Sequence, residues 1–139
     1  GVSPCAYPCS RAITGDCPYK ISKKIADRYL FMIKQKIMKA LKELKELLFK
    51  NFPDYIDKVI LYGSQVSGTA KDYSDYDILV ILKKAYDWKL KNEIYDKSWE
   101  VDFKYDILTD IRLILNSELE TVKGKQPFIT NAIEKGIVL

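Results

Sequence analysis

From Ser22 to about Phe49 the apolar residues recur at steps of three and four. Ile21, Ile25, Tyr29, Ile33, Ile37, Leu41, Leu44 and Leu48 form the stripe, and Lys42, Glu43, Lys45, Glu46 and Lys50 fill the opposite side. This period predicts an amphipathic helix with its apolar face on a core. Ser22 is placed to cap its start, and Asn51-Phe52-Pro53-Asp54 to stop it. A helix this long leaves room for a break around Lys34–Lys39.

The pattern then changes. Val59-Ile60-Leu61-Tyr62 is a short β-type run ending at Gly63, and residues 64–74 are loop-like. Tyr76 to Leu82 is the most hydrophobic run and predicts a central strand. Asp87 to about Phe103 fits a second amphipathic helix, with Trp88, Ile94, Tyr95, Trp99 and Phe103 toward the core. Tyr105 to Leu115 predicts a third strand. Ser117-x-x-Glu120 has the form of a capping box opening a short helix. Pro127 to Lys135 predicts the last helix, with Gly136 as its stop. Strands alternating with helices give an α/β (α+β) class, a small mixed sheet flanked by helices.

With 139 residues the chain has one domain's worth of length. Residues 1–20 hold three of the five prolines and all three cysteines, Cys5, Cys9 and Cys17. They are expected to form a poorly structured N-terminal extension, and 21–139 the folded domain. The cysteine spacing fits no zinc pattern, and a reducing cytoplasm is expected. The first twenty residues contain no apolar h-region, so no secretory signal is expected. The longest aliphatic run is Ile78 to Leu82, so no membrane span is expected.

A net charge of +4 is mild, and nucleic acid is not an expected partner. Histidine is absent, which excludes Ser-His-Asp and Cys-His catalysis and His-ligated zinc. Acid–base or metal work falls to Asp, Glu, Lys, Tyr or Cys.

The chemistry concentrates in Leu61-Tyr62-Gly63-Ser64 and Ser74-Asp75-Tyr76-Asp77-Ile78. Asp75 and Asp77 are two apart on a strand, so their side chains share a face about 6.5 Å apart along it. Hard oxygen ligands so placed suit Mg²⁺, which binds through a few carboxylates and substrate phosphates. A shared metal pair stabilises both oxygens of a nucleotidyl transfer. Gly63 permits a tight turn after its strand. Successive backbone N–H groups there, with the Ser64 hydroxyl, form an anion nest suited to a triphosphate.

Gly-Ser, ten residues, then Asp-x-Asp resembles the signature of the DNA polymerase β-like nucleotidyltransferase superfamily, and most closely its minimal nucleotidyltransferase (MNT) branch. The order of elements extends the resemblance over about residues 21–139. The resemblance implies the nucleotidyltransferase fold, a two-metal Mg²⁺ site and ATP as substrate, with AMP moved to an acceptor hydroxyl. It also implies a third carboxylate on the neighbouring strand, which helps ready the attacking hydroxyl. Asp110, in the apolar stretch Ile107–Ile111, is the choice, which makes the expected metal and catalytic set Asp75, Asp77 and Asp110. Asp106 is the reserve on the same strand face, and Asp102 is expected on the helix surface. Many relatives carry two loop arginines where this chain has Gln65 and Ser67. Lys71 is placed to reach the phosphates in their stead. Minimal nucleotidyltransferases often pair with a HEPN-domain protein, acting as antitoxin and adenylylating a partner tyrosine. The alternatives are a non-catalytic toxin-neutralising module, or nucleotidylation of an aminoglycoside-like small molecule.

Overall fold

The computed structural model describes residues 22–63 and 75–139. The predicted tail 1–20 and the loop carrying Ser64, Gln65, Ser67 and Lys71 lie outside them. Helix α1 runs over Lys23–Asn51, followed by strands β1 (Ile56–Tyr62) and β2 (Tyr76–Leu82). Helix α2 spans Trp88–Tyr105 and strand β3 spans Thr109–Leu115. A 3-10 turn at Asn116–Glu118, helix α3 at Pro127–Lys135 and strand β4 at Ile137–Val138 complete the described elements.

Contacts divide the chain into two units, residues 1–35 and 36–139. The described part of the first is the beginning of α1. Ser22 caps it, its Oγ accepting from the Ile25 N–H at 3.3 Å. The helix runs unbroken through Lys34–Lys39. Ile25, Tyr29 and Ile33, expected on the core face, are exposed, as are Leu30, Phe31 and Met32. The apolar stripe becomes core only farther along, at Ala40, Leu41, Leu44 and Leu48.

In the second unit the sheet order is β3-β2-β1-β4. β1 and β2 pair antiparallel, whereas β2 and β3 pair parallel, with α2 as the crossover between them. β4 pairs antiparallel with β1 through Ile60–Val138 and Leu61–Ile137. Alternation sorts the strand residues onto two faces. Ile56, Val59, Leu61, Ile78, Val80, Leu82 and Ile111 pack beneath α1 and α2. Ile60, Leu79, Ile81 and Ile114 pack beneath Ile129 and Ala132 of α3. Fully burying one such aliphatic side chain stabilises by about 1.5–3 kcal/mol, so the doubly covered β2 anchors the fold. Gly136 follows α3 where it crosses β1, and a Cβ there would collide with the Ile60 side chain.

Three local expectations are corrected. Helix α2 buries Ile94, Ser98, Val101, Asp102 and Tyr105, while Trp88, Trp99 and Phe103 are exposed. The third strand begins at Thr109, because Tyr105 still belongs to α2 and Asp106 ends it in the left-handed region at φ 52°. The cap near residue 117 is made by Glu118, not by Ser117 and Glu120. The Glu118 Oε2 accepts from the Leu115 N–H at 3.0 Å, and Lys123 binds the same carboxylate.

Candidate active site

Gly63 ends β1 at the same end of the sheet where β2 begins. Its φ is +83°, a left-handed value that glycine adopts without steric cost. A Cβ at Gly63 would run into the Asp77 carboxylate, so the turn and the carboxylate are in direct apposition.

Strand register carries the other groups to the same place. Tyr62 lies opposite Asp77 in the β1–β2 ladder, and Asp77 lies opposite Asp110 in the β2–β3 ladder. Directly paired residues share a sheet face, so Tyr62, Asp77 and Asp110 stand in a row across three strands. The face is the one that α3 covers only in part. Arg112, two residues after Asp110, joins it. Its Nη2 approaches the Asp110 Oδ2 at 3.5 Å, and its guanidinium lies 5.0 Å from the Phe128 ring centroid. Phe128 also packs near Tyr62, with ring centroids 6.5 Å apart.

The electrostatics follow from this row. Asp77 is held above the ordinary carboxylate range, first by burial and then by repulsion from Asp110. Asp75 adds to that repulsion and Arg112 opposes it. The Tyr62 hydroxyl is pushed up to about 12, chiefly by burial and next by the charge of Asp77. It stays a neutral phenol at physiological pH. Asp75 sits just before β2 and is exposed.

Asp102 departs most from expectation. It is only 7% exposed. Its carboxylate accepts from the Thr109 backbone N–H at 3.1 Å and from the Thr109 hydroxyl at 3.0 Å. The Ser98 hydroxyl lies 2.6 Å from that of Thr109. Burial raises the Asp102 pKa in spite of these bonds, and Asp75 adds to the rise. The carboxylate thus fastens α2 to the first residue of β3, one position before Asp110. Asp106, the reserve, caps α2 outside β3 and is not brought into the row.

Asp75, Asp77 and Asp110 therefore lie near one end of the sheet with Gly63, while Ser64 and Lys71 fall outside the described residues. Among the described residues no three acidic groups stand close enough together to cage an ion by themselves. The donor set still fits Mg²⁺, which is held by one or two carboxylates with substrate phosphates completing its shell. A desolvated carboxylate facing like charges is where a divalent cation relieves the most repulsion. Sequence reasoning missed Tyr62 and Arg112. The signal for Arg112 was its i+2 spacing from Asp110, which puts both on one strand face.

Residues 37–139 match the family described as Nucleotidyltransferase domain. Two Methanocaldococcus jannaschii proteins provisionally named protein adenylyltransferases are similar in sequence. One is 35% identical over 72 residues, covering 52% of this chain and 73% of its own length. The other is 30% identical over 101 residues, covering 73% of this chain and 95% of its own. A toxin–antitoxin crystal structure with AMP-PNP superposes with a TM-score of 0.48 at 22% identity, covering 70% of this chain and 69% of that one. A mutant of the toxin–antitoxin MntA-HpeT gives 0.47 at 20% identity, with the same coverage of both chains. Among the described residues no helix is long and apolar enough to cross a membrane.

Proposed function

The chain belongs to the nucleotidyltransferase-domain family, and from that premise we propose that it moves AMP from ATP to an acceptor hydroxyl in a Mg²⁺-dependent reaction. The acceptor is a tyrosine on a HEPN-type partner protein, and the transfer serves an antitoxin role. The names of the two archaeal relatives support a protein acceptor. The motif resemblance supports the HEPN-type partner. The observation that carries the reading is the register pairing of Asp77 with Asp110, on an open face, beside a glycine pressed against Asp77.

In this reading Asp75, Asp77 and Asp110 would hold Mg²⁺ together with the substrate phosphates, and the bound ion would supply charge neutralisation of the triphosphate and polarisation of the α-phosphate. Gly63 and Ser64, with Lys71, hold the triphosphate so that position and electrostatics supply most of the rate. Arg112 offers a cation on the same face as Asp110, whereas Gln65 and Ser67 carry no charge. The acceptor oxygen bonds to the α-phosphorus as the bond to the bridging α–β oxygen breaks. Pyrophosphate leaves with the electron pair, and Asp110 receives the acceptor's proton.

The test is incubation with α-labelled ATP, Mg²⁺ and a HEPN-type partner protein. Label should pass to the partner, and Asp75→Ala and Asp77→Ala should each abolish the transfer. If toxin neutralisation survives both substitutions undiminished while labelling vanishes, the function is contact alone, and the binding-module alternative replaces this reading.

A further inference from the structure

Over residues 23–35, helix α1 leaves six large apolar side chains exposed: Ile25, Tyr29, Leu30, Phe31, Met32 and Ile33. All but Phe31 share one face. At about 100° per residue, Met32, Ile25, Tyr29, Ile33 and Leu30 follow one another around an arc of about 160° that holds no charged residue of this stretch. Lys23, Lys24, Asp27, Arg28 and Lys34 fall on the remaining side, four cations and one anion. The stretch lies ahead of residues 37–139, which match the family, so that domain's core does not account for the face. We propose that it docks on an anionic lipid surface, with the helix lying in the plane of the headgroups, independently of the transfer reaction.

The first argument is the shape of the face. Tyr29 and Met32 are each 66% exposed, so the chain itself makes little use of it. A seam between paired helices is a narrow stripe. The narrow line Ile25–Tyr29–Met32 runs into Lys36, which would put a charge in such a seam. A flat apolar medium takes up the whole arc at once, and at its end the Lys36 stem can reach back to the headgroups. Among the described residues no helix is long and apolar enough to cross a bilayer, so the contact is with one leaflet.

The second argument is charge. Lys23 and Lys34 border Leu30, and Arg28 borders Met32, so cations stand at both margins of the arc. From there long basic stems cover apolar surface and carry their charge to phosphates. A second copy laid on the same face would set cations against cations. An anionic leaflet sets them against phosphates, a gain in binding of roughly fivefold for each cation.

The test is co-flotation of the full chain with lipid vesicles, without nucleotide or partner. Vesicles of phosphatidylcholine with about a quarter phosphatidylglycerol should bind at least tenfold more tightly than phosphatidylcholine alone, and less so as salt rises. The Ile25→Gln/Tyr29→Gln chain keeps its charge and gains good helix formers. It should bind about a hundredfold more weakly at an unchanged melting temperature. Phe31→Gln alters an equally exposed position on the other side, and should change affinity less than about twofold. Absence of binding to the anionic vesicles overturns the proposal. So does undiminished binding of the double variant, since charge alone would then act, or an equal loss in Phe31→Gln, since no one face would then be used. A dimer or partner complex that the double variant dissolves also overturns it, because the face would then be a protein seam.

Discussion

The two faces of the sheet are built on opposite terms. Beneath α1 and α2, Ile56, Ile78, Val80 and Leu82 are fully buried along with Leu41, Leu44, Leu48 and Ile94 of the helices. The face beneath α3 is apolar only at one end, where Ile60, Leu79, Ile81 and Ile114 meet a nine-residue helix. Its other end carries Tyr62, Asp77, Asp110 and Arg112. A closed face supplies the cohesion, so the open one can keep like charges near each other at partial desolvation. The contrast predicts that substitutions on the two faces will separate stability from chemistry.

The largest loss of stability should come from the closed face. Leu44→Ala removes a fully buried side chain and should cost about 2–5 kcal/mol in urea unfolding. MgATP affinity, measured well below the midpoint, should not change. A parallel fall in affinity would break the separation. Thr109→Val comes next, at the seam between the faces. It deletes the hydroxyl donor to the buried Asp102 and should cost about 1–3 kcal/mol. Because Thr109 precedes Asp110, this substitution should also reduce label transfer, and one that spared transfer would show that the two positions are uncoupled.

Gly63→Ala should cost about 1–2 kcal/mol in stability for its left-handed backbone. Its effect on transfer should be far greater, since the new methyl group displaces the Asp77 carboxylate. Asp77→Asn should have the smallest effect on the fold and abolish transfer. The folded Asp77 carboxyl titrates above its usual value near 3.8, so its ionisation opposes folding at neutral pH. That penalty fades as pH falls through the raised folded value and is gone below the unfolded one. Asp77→Asn should therefore raise the melting temperature slightly at pH 7, by less than about 4 °C, and not at all near pH 3. A drop at pH 7 would mean that Asp77 is paired by a cation even without nucleotide.

How far the sequence reveals this arrangement depends on how local each cause is. The Pro127–Lys135 helix and the Tyr76–Leu82 strand are legible to the residue, because periodicity and end signals sit within each segment. So is the Gly63-to-Asp77 spacing. Helix α2 is misread by about one residue of rotation. Its aromatic residues at 88, 99 and 103 outweigh the quieter stripe at Ser98, Val101, Asp102 and Tyr105, which the fold buries together with the expected Ile94. Nothing local marks Asp102 as buried, because its partner is Thr109 on another element. Asp106 ends the helix where glycine is the usual signal, which moves the start of β3. β4 is two residues long, too short for any alternation to show.

The parallel pairing of β2 with β3 has a consequence in time. β1 and β2 are close in sequence and pair antiparallel, and can associate early. Asp110 reaches Asp77 only after the whole of α2 has formed and swung the chain back along the sheet, a non-local closure that is slow to reward. During refolding, the Asp75–Asp77 pair should thus be present well before the row is complete, and competence for transfer should appear in the slowest phase. The same order run backwards makes detachment of α2 from β3 the shortest route to inactivation. Amides of β3 should exchange with solvent at a lower free energy than those of β2, and activity should disappear on heating before the paired β1 and β2 melt.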